Sequence, residues 1–324
     1  METPGRVIFC GTPRFAVPTL EALIAAGYEI PLVVTQPDRP MGRSQQLAVP
    51  AVKQTALAAG LTVTQPEKIR SNAEFRAQLE AIAPDAIVVV AYRRIIPPWM
   101  LALPRLGCIN LHASLLPKYR GAAPIQWAVA MGETSTGNTT MLLEEGLDTG
   151  PILMQQSLVI GAEKTAADLF DELAAGGAPM VVETLAGLAH GTLKPRHQDH
   201  ARATLAPLLD REDGLMEFAA RSADELKNRW RGFQPWPGAY AMLEGKKLIV
   251  HLMDVRDTSS FAAPADAVAG QIVVENQHLF AACAGNTWLE LIEVQLEGKK
   301  RLAAAEFLRG MPFAGGAHFD VRSS

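Results

Sequence analysis

Four segments constrain the fold more than anything else in the chain: RVIFC (6–10), EIPLVVT (29–35), DAIVVVAY (85–92) and GCINLH (107–112). Each is apolar at nearly every position, where a strand with one wet face would alternate. Strands of that kind have to be covered on both sides. The intervening stretches supply the cover, since AVPTLEALIAAG (16–27), residues 49–60 and the segment opened by Ser71 and Glu74 space their apolar residues as helices do. Together they predict an α/β fold built on an open, mostly parallel sheet.

The 324 residues exceed one ordinary domain, and 48% hydrophobic with 20% charged residues suits packed cores rather than disorder. After TTMLLEE (139–145), GLDTG (146–150) and ILMQQSLVI (152–160) come two helical patterns between Thr165 and His190. GTLKPRHQDHARATLAP (191–207) is polar and aperiodic and reads as a linker. Beyond it, strands divided by tight turns run through YAMLEGKKLIVHLMDV and GQIVVENQHLFAACAGNTWLELIEV, with a last helix at 303–308. That rhythm predicts a small OB-like β-barrel over 208–324, after a first domain over 1–190.

No apolar run approaches the roughly 20 residues a bilayer crossing needs, and METPGRVIFCGTP lacks the form of a signal peptide. A cytoplasmic protein without a membrane partner is expected, and nothing demands more than a monomer. Cys10, Cys108 and Cys283 are scattered, and no HxxxH, HExxH or CxxC spacing occurs, so no metal is expected. The net charge of −4 argues against wholesale capture of nucleic acid, leaving any such contact to a local patch. Lys246, Lys247, Lys299, Lys300 and Arg301 could form a basic stripe or a solvated hairpin rim. FCGTPRFA follows the first strand but carries one glycine, short of the three a dinucleotide loop uses.

Asn110 and His112 alternate onto one face about 7 Å apart where their strand gives out, the edge at which open parallel sheets bind ligands. A plain strand cap accounts for either residue alone. Asp148, bracketed by the glycines of GLDTG, adds a carboxylate that could fix an imidazole's tautomer and favour its protonated form, although an Asx turn would also place an aspartate there. The run TTMLLEE is expected to bring that loop to the same sheet edge. The trio suits direct attack by an amine on a carbonyl, with imidazole as base and carboxamide at the oxyanion. Ser114 lies outside any GxSxG and, with Leu115, Leu116 and Pro117, reads as a pocket wall. The loop 36–47 reads as exposed, either solvated or probing a polyanion.

VIFCGTPRFA, VVTQPDRPMGR, VVVAY, LGCINLHASLLPKYRGAAPIQWA, GLDTG and GFQPWPGAY, in this order along nearly the whole chain, resemble the methionyl-tRNA formyltransferase family. The resemblance implies a Rossmann-like formyltransferase domain followed by an OB-like domain. It also implies transfer of the formyl group of 10-formyltetrahydrofolate, a cosubstrate, to the α-amino group of methionyl initiator tRNA. Asn110, His112 and Asp148 fall on the family's catalytic trio. Ser114, Leu115, Leu116 and Pro117, with Tyr92 and Arg93, fall on its folate pocket, and Arg43 on the segment that meets the tRNA acceptor end. Three departures stand out: Arg93 and Arg94 where a glycine usually follows VVVAY, Gln45 and Gln46 where lysines often follow Arg43, and the polar Asn138 and Thr140 before GLDTG. Rival formyltransferases acting on glycinamide ribonucleotide lack the second domain, and those acting on amino sugars are usually fused to larger partners, so the C-terminal region is expected to separate this chain from both. A non-catalytic tRNA binder or a nicotinamide oxidoreductase fits less well, given the trio and the missing glycines.

Overall fold

The computed structural model describes residues 5–41, 46–313 and 316–320, and the chain divides into two compact units. The first holds a seven-stranded sheet among its described residues: β1 (Arg6–Gly11), β2 (Glu29–Val34), β3 (Val63–Thr64), β4 (Ala86–Val90), β5 (Cys108–His112), β6 (Ser135–Leu142) and β7 (Ile152–Val159), in the order β7-β6-β5-β4-β1-β2-β3. β1 to β5 are parallel, as their unbroken apolar runs require, and β6 and β7 add antiparallel strands at one edge. Every residue of β4 and β5 is buried. The order reverses between β1 and β4, so the crevice outside their carboxyl ends is the switch point at which such sheets bind ligands.

Helices α1 (Val17–Ala25), α2 (Ala51–Ala58) and α3 (Ala73–Ile82) form near the expected places. The cap of α3 is not the expected Ser71–Glu74 box, because Asn72, in extended backbone, already turns its own oxygen to the Phe75 N–H at 3.0 Å. Likewise the two helical patterns expected between Thr165 and His190 are one helix, α4 (Ala166–Ala189), which carries Pro179 inside it. The glycines inside it serve close packing: a Cβ on Gly177 would lie 2.6 Å from the Leu111 side chain. The packing of this helix on the sheet also explains the third departure. Asn138 donates to the Leu173 carbonyl of α4 at 2.8 Å, and Thr140 shares a hydrogen bond of 2.8 Å with Thr184 of α4, so polar side chains on β6 are matched to that helix.

Residues 191–207, expected as a linker, belong to the first unit. Their polarity is spent on it: Arg196 bridges Ile152 through both backbone groups, Leu205–Ala206 pairs with Arg120–Gly121, and Gln198 is buried.

The second unit runs from Leu209 onward and also gathers Gln126–Thr134 and Gly161–Ala167. Buried Arg231 secures the last of these, donating to the carbonyls of Lys164 at 3.0 Å and Gly161 at 2.8 Å. Among its described residues this unit carries an antiparallel sheet of β8 (Tyr240–Leu243), β9 (Lys246–Arg256), β10 (Ile272–Glu275), β11 (His278–Cys283) and β12 (Thr287–Leu296), in the order β8-β9-β12-β11-β10, with β13 (Leu302–Ala303) beside β12. Helix α5 (Ala223–Gly232) starts on a capping box of Ser222 and Glu225 and buries Ala223 and Leu226 in the core. Helix α6 (Ala304–Gly310) adds Ala304 and Phe307 to the same core.

Glu290 on β12 is buried and accepts from Arg256 Nε and His278 Nδ1, each at 2.5 Å. Burial alone would raise its carboxyl, but the His278 and Arg256 bonds outweigh that and hold it below the ordinary range. A depressed folded value contributes stability above the unfolded pKa of about 4.3, and that stability is lost as pH falls through the folded value. Glu290→Gln is therefore expected to lower stability at neutral pH and to flatten the loss on acidification below about pH 4.3, read as urea midpoints against pH. Equal acid slopes for both proteins would refute this.

Candidate active site

Asn110 and His112 point to one face of β5, 9% and 6% exposed, and Leu111 between them points to α4. Among the described residues the Asn110 carboxamide has no protein partner, so its N–H groups remain available to a ligand. The imidazole is fixed by a contact that sequence reasoning missed. Its Nε2 lies 2.8 Å from the Tyr119 carbonyl oxygen, which can only accept, so Nε2 carries the proton and Nδ1 keeps its lone pair. Tyr119 adopts φ 63°, and its N–H donates to Thr204 at 2.9 Å. Nothing in the local sequence signals a carbonyl in that role.

Asp148 Oδ2 stands 3.7 Å from His112 Nδ1, beyond hydrogen-bond range, so the tautomer is set by Tyr119 and not, as expected, by Asp148. The carboxylate is placed to offset positive charge when Nδ1 takes a proton. Its orientation comes from the Gly121 N–H, which donates to Oδ2 at 2.9 Å. The route to this position also differs from expectation. Because β6 runs antiparallel to β5, its Leu142 end lies beside Ile109 and its Thr139 beside His112, and the loop after β6 has to fold back toward the imidazole. Asp148 sits at φ 49° within that return, a conformation aspartate tolerates better than most residues.

Ser114 is buried, and its hydroxyl donates to the Lys118 carbonyl at 2.7 Å, closing the loop rather than facing a ligand. Its carbonyl accepts from Thr139 at 2.6 Å. Leu116 packs with Met141 and Ile152, while Leu115 and Pro117 are half-buried. Tyr92 does not line a pocket with its ring: the side chain lies in the core with Cys10 and Ile96, and burial pushes its phenol well up. Its carbonyl accepts from Gln36 at 2.9 Å, and Arg94 donates to the other end of the Gln36 carboxamide at 3.0 Å. The base of the loop 36–47 is thereby tied to the end of β4, and Lys53 reinforces it through Asp38 and Gln65, each at 2.7 Å. Arg43 lies outside the described residues.

Arg93 is exposed at φ 62°, which explains why glycine suits this position. Arg93→Gly is expected to stabilise the chain by about 0.5–1 kcal/mol, because the left-handed backbone disfavours a Cβ. A fall in the urea midpoint would mean that the arginine side chain contributes more than the strain costs.

Burial pushes the Cys108 thiol up to about 12, and burial with the neighbouring Cys108 pushes Cys10 well above its ordinary value. Neither supplies a thiolate near neutrality. Among the described residues no group of three or more His, Cys, Asp or Glu gathers to hold a metal, and no helix is long and apolar enough to cross a membrane. In the second unit Lys246 and Lys247 open β9 beside the turn at 297–300, while Lys247 lies 3.5 Å from the Tyr240 ring centroid and Arg301 is paired with Glu293.

A buried imidazole with an open lone pair beside a free carboxamide is the pairing that group transfer from a carbonyl to an amine calls for, and the class is fixed by family: the chain carries both formyl transferase domains. Family models of that description match residues 5–185 (Formyl transferase) and 208–312 (Formyl transferase, C-terminal domain). The methionyl-tRNA formyltransferase of Acidobacterium capsulatum is 63% identical over 95% of this chain and 97% of its own, and that of Koribacter versatilis 55% identical over 94% and 95%. The chain belongs to the methionyl-tRNA formyltransferase family. Among solved structures, the sugar 3N-formyl transferase WlaRD is similar with TM-score 0.62 at 15% identity, covering 93% of this chain and 100% of its own. Glycinamide ribonucleotide transformylase 1 from Symbiobacterium toebii gives TM-score 0.51 at 21% identity, covering 61% of this chain and 96% of its own. The C-terminal region thus separates this chain from the glycinamide enzyme but, against expectation, not from the sugar enzyme. There the distinction rests on 63% against 15% identity.

Proposed function

We propose that this chain transfers the formyl group of 10-formyltetrahydrofolate to the α-amino group of methionyl initiator tRNA. The observation that carries the reading is the trio: an unpartnered Asn110 carboxamide, the His112 Nδ1 lone pair and the Asp148 carboxylate 3.7 Å from it, in a chain 63% identical to a methionyl-tRNA formyltransferase. The neutral amine attacks the formyl carbon and the new C–N bond forms. Asn110 donates to the oxygen as it gains charge, and Nδ1 takes the amine's proton while Asp148 offsets the imidazolium. Collapse breaks the bond from the formyl carbon to N10 of the folate, and the proton held on His112 returns to that nitrogen. No redox partner or metal enters the balance.

The folate is assigned to the crevice at the ends of β1, β4 and β5, walled by Leu115 and Pro117 with Arg93 at its rim and the Tyr92 backbone behind. The second unit, read as an OB-like barrel, and Arg43 are assigned to the tRNA, with Lys246 and Lys299 as phosphate contacts. A cytoplasmic monomer suits this work. The test is formyl transfer from 10-formyltetrahydrofolate to methionylated initiator tRNA beside methionylated elongator tRNA. Transfer confined to the initiator supports the reading. A folded, folate-binding protein that formylates an amino-sugar nucleotide and neither tRNA would overturn it.

A further inference from the structure

Gln198 lies in the polar stretch that sequence alone marks as a linker, yet it is 6% exposed and every hydrogen-bonding position of its carboxamide is used. Its Nε2 donates to the Asp148 carbonyl at 2.8 Å and to the Gly150 carbonyl at 2.7 Å, spanning the turn that holds Asp148 at φ 49°. Its Oε1 accepts from Arg120 Nε at 3.1 Å and Nη2 at 2.7 Å. Arg120 is itself buried, and its Nη2 also meets His200 Nδ1 at 3.0 Å, where the arginine can only donate. The residue after Arg120 is Gly121, whose N–H holds the Asp148 carboxylate at 2.9 Å.

The two ends of one clamp therefore meet on one aspartate. We infer that Gln198, oriented by Arg120, is a positioning residue for the formyl-transfer reaction, setting the Asp148 carboxylate against the His112 imidazole by gripping the backbone of the Asp148 turn. The inference rests on the assignment of Asp148 to that reaction. Its physical basis is that a turn in the left-handed region has to be held by its surroundings, and two carbonyls bound by one amide nitrogen leave little freedom to a carboxylate three bonds from the first of them. An amide is the group the site calls for. A carboxylate could still accept from Arg120, but its oxygens would face the Asp148 and Gly150 carbonyls with no proton to offer.

Gln198→Glu separates the two halves of the clamp, since it keeps the Arg120 half and destroys the Asp148 half. In the full-length protein its kcat is expected to fall on the order of 10- to 10²-fold, with KM for folate and for tRNA nearly unchanged. In an Asp148→Asn background the same change is expected to cost less than about twofold, because the group it positions is already gone. A purely structural role would cost the same in both backgrounds. Hydrogen exchange at the Gly121 amide provides a readout that needs no activity, and exchange at least about tenfold faster in Gln198→Glu is expected, because the carboxylate that protects the amide is released. Wild-type kcat in folded Gln198→Glu, equal losses in both backgrounds, or unchanged Gly121 exchange would each overturn the inference. Failure of the wild-type protein to formylate any acceptor would sink the functional reading instead, and the Gly121 amide would still decide this one.

Discussion

His112→Ala should lower the turnover of formyl transfer by about 10²- to 10⁴-fold, the range spanned by losing a positioned general base. The imidazole is the one group near Asn110 whose lone pair is held open by its surroundings, because the Tyr119 carbonyl claims the Nε2 proton and leaves Nδ1 facing Asp148. Without it the amine's proton has to leave to water, since the neighbouring Asn110 carboxamide cannot accept a proton near neutrality. The KM values should stay within a few fold, since Nδ1 meets the amine's proton only as the bond forms. Stability should fall by about 1–2 kcal/mol for the lost hydrogen bond and filled space, leaving the protein folded. Steady-state kinetics beside a urea titration tests both. A variant that keeps a tenth or more of wild-type turnover would remove His112 from the base role.

Gly150→Ala should be the most damaging small substitution near the site, costing about 3 kcal/mol or more and most of the activity. A Cβ there would overlap the Leu142 carbonyl oxygen, and that carbonyl belongs to the sheet, so no side-chain rotation relieves the clash. The turn would have to move, and Asp148 with it. Gly146→Ala is the informative comparison. The nearest atoms to its Cβ belong to the Thr149 side chain, whose Oγ1 and Cγ2 can rotate away while its Cβ gives by a few tenths of an ångström, so its cost should stay below that of Gly150→Ala, at about 1 kcal/mol. Urea midpoints for the two variants decide the matter, and equal costs would show that the Leu142 backbone is not the obstacle.

Much of the site was legible because its signals are local. Alternation along GCINLH puts Asn110 and His112 on one face, and two glycines around Asp148 announce a tight turn. What held these groups was not legible. Tyr119 acts through its carbonyl, which carries no residue identity, and Gln198 lies 50 residues beyond Asp148 in a stretch whose polarity resembles a linker's. Polar residues that saturate one another in the fold look, in a string of letters, like residues that face water. Tyr92 shows the opposite case: the family resemblance set it on the folate pocket, and only the packing showed its ring in the core with Cys10.

By itself the sequence determined the doubly covered parallel sheet, since continuous apolar runs of strand length call for cover on both faces, and it determined that Asn110 and His112 share one face where their strand ends, since side chains alternate along a strand. The tertiary structure alone decided that β6 runs antiparallel to β5, so that Asp148 returns to His112 by a folded-back loop, and that residues 191–207 pack into the first unit. The reason is the same in both cases. Strand direction and long-range hydrogen bonds are chosen by which distant groups can satisfy one another at the same time, and that choice is a property of the assembled chain.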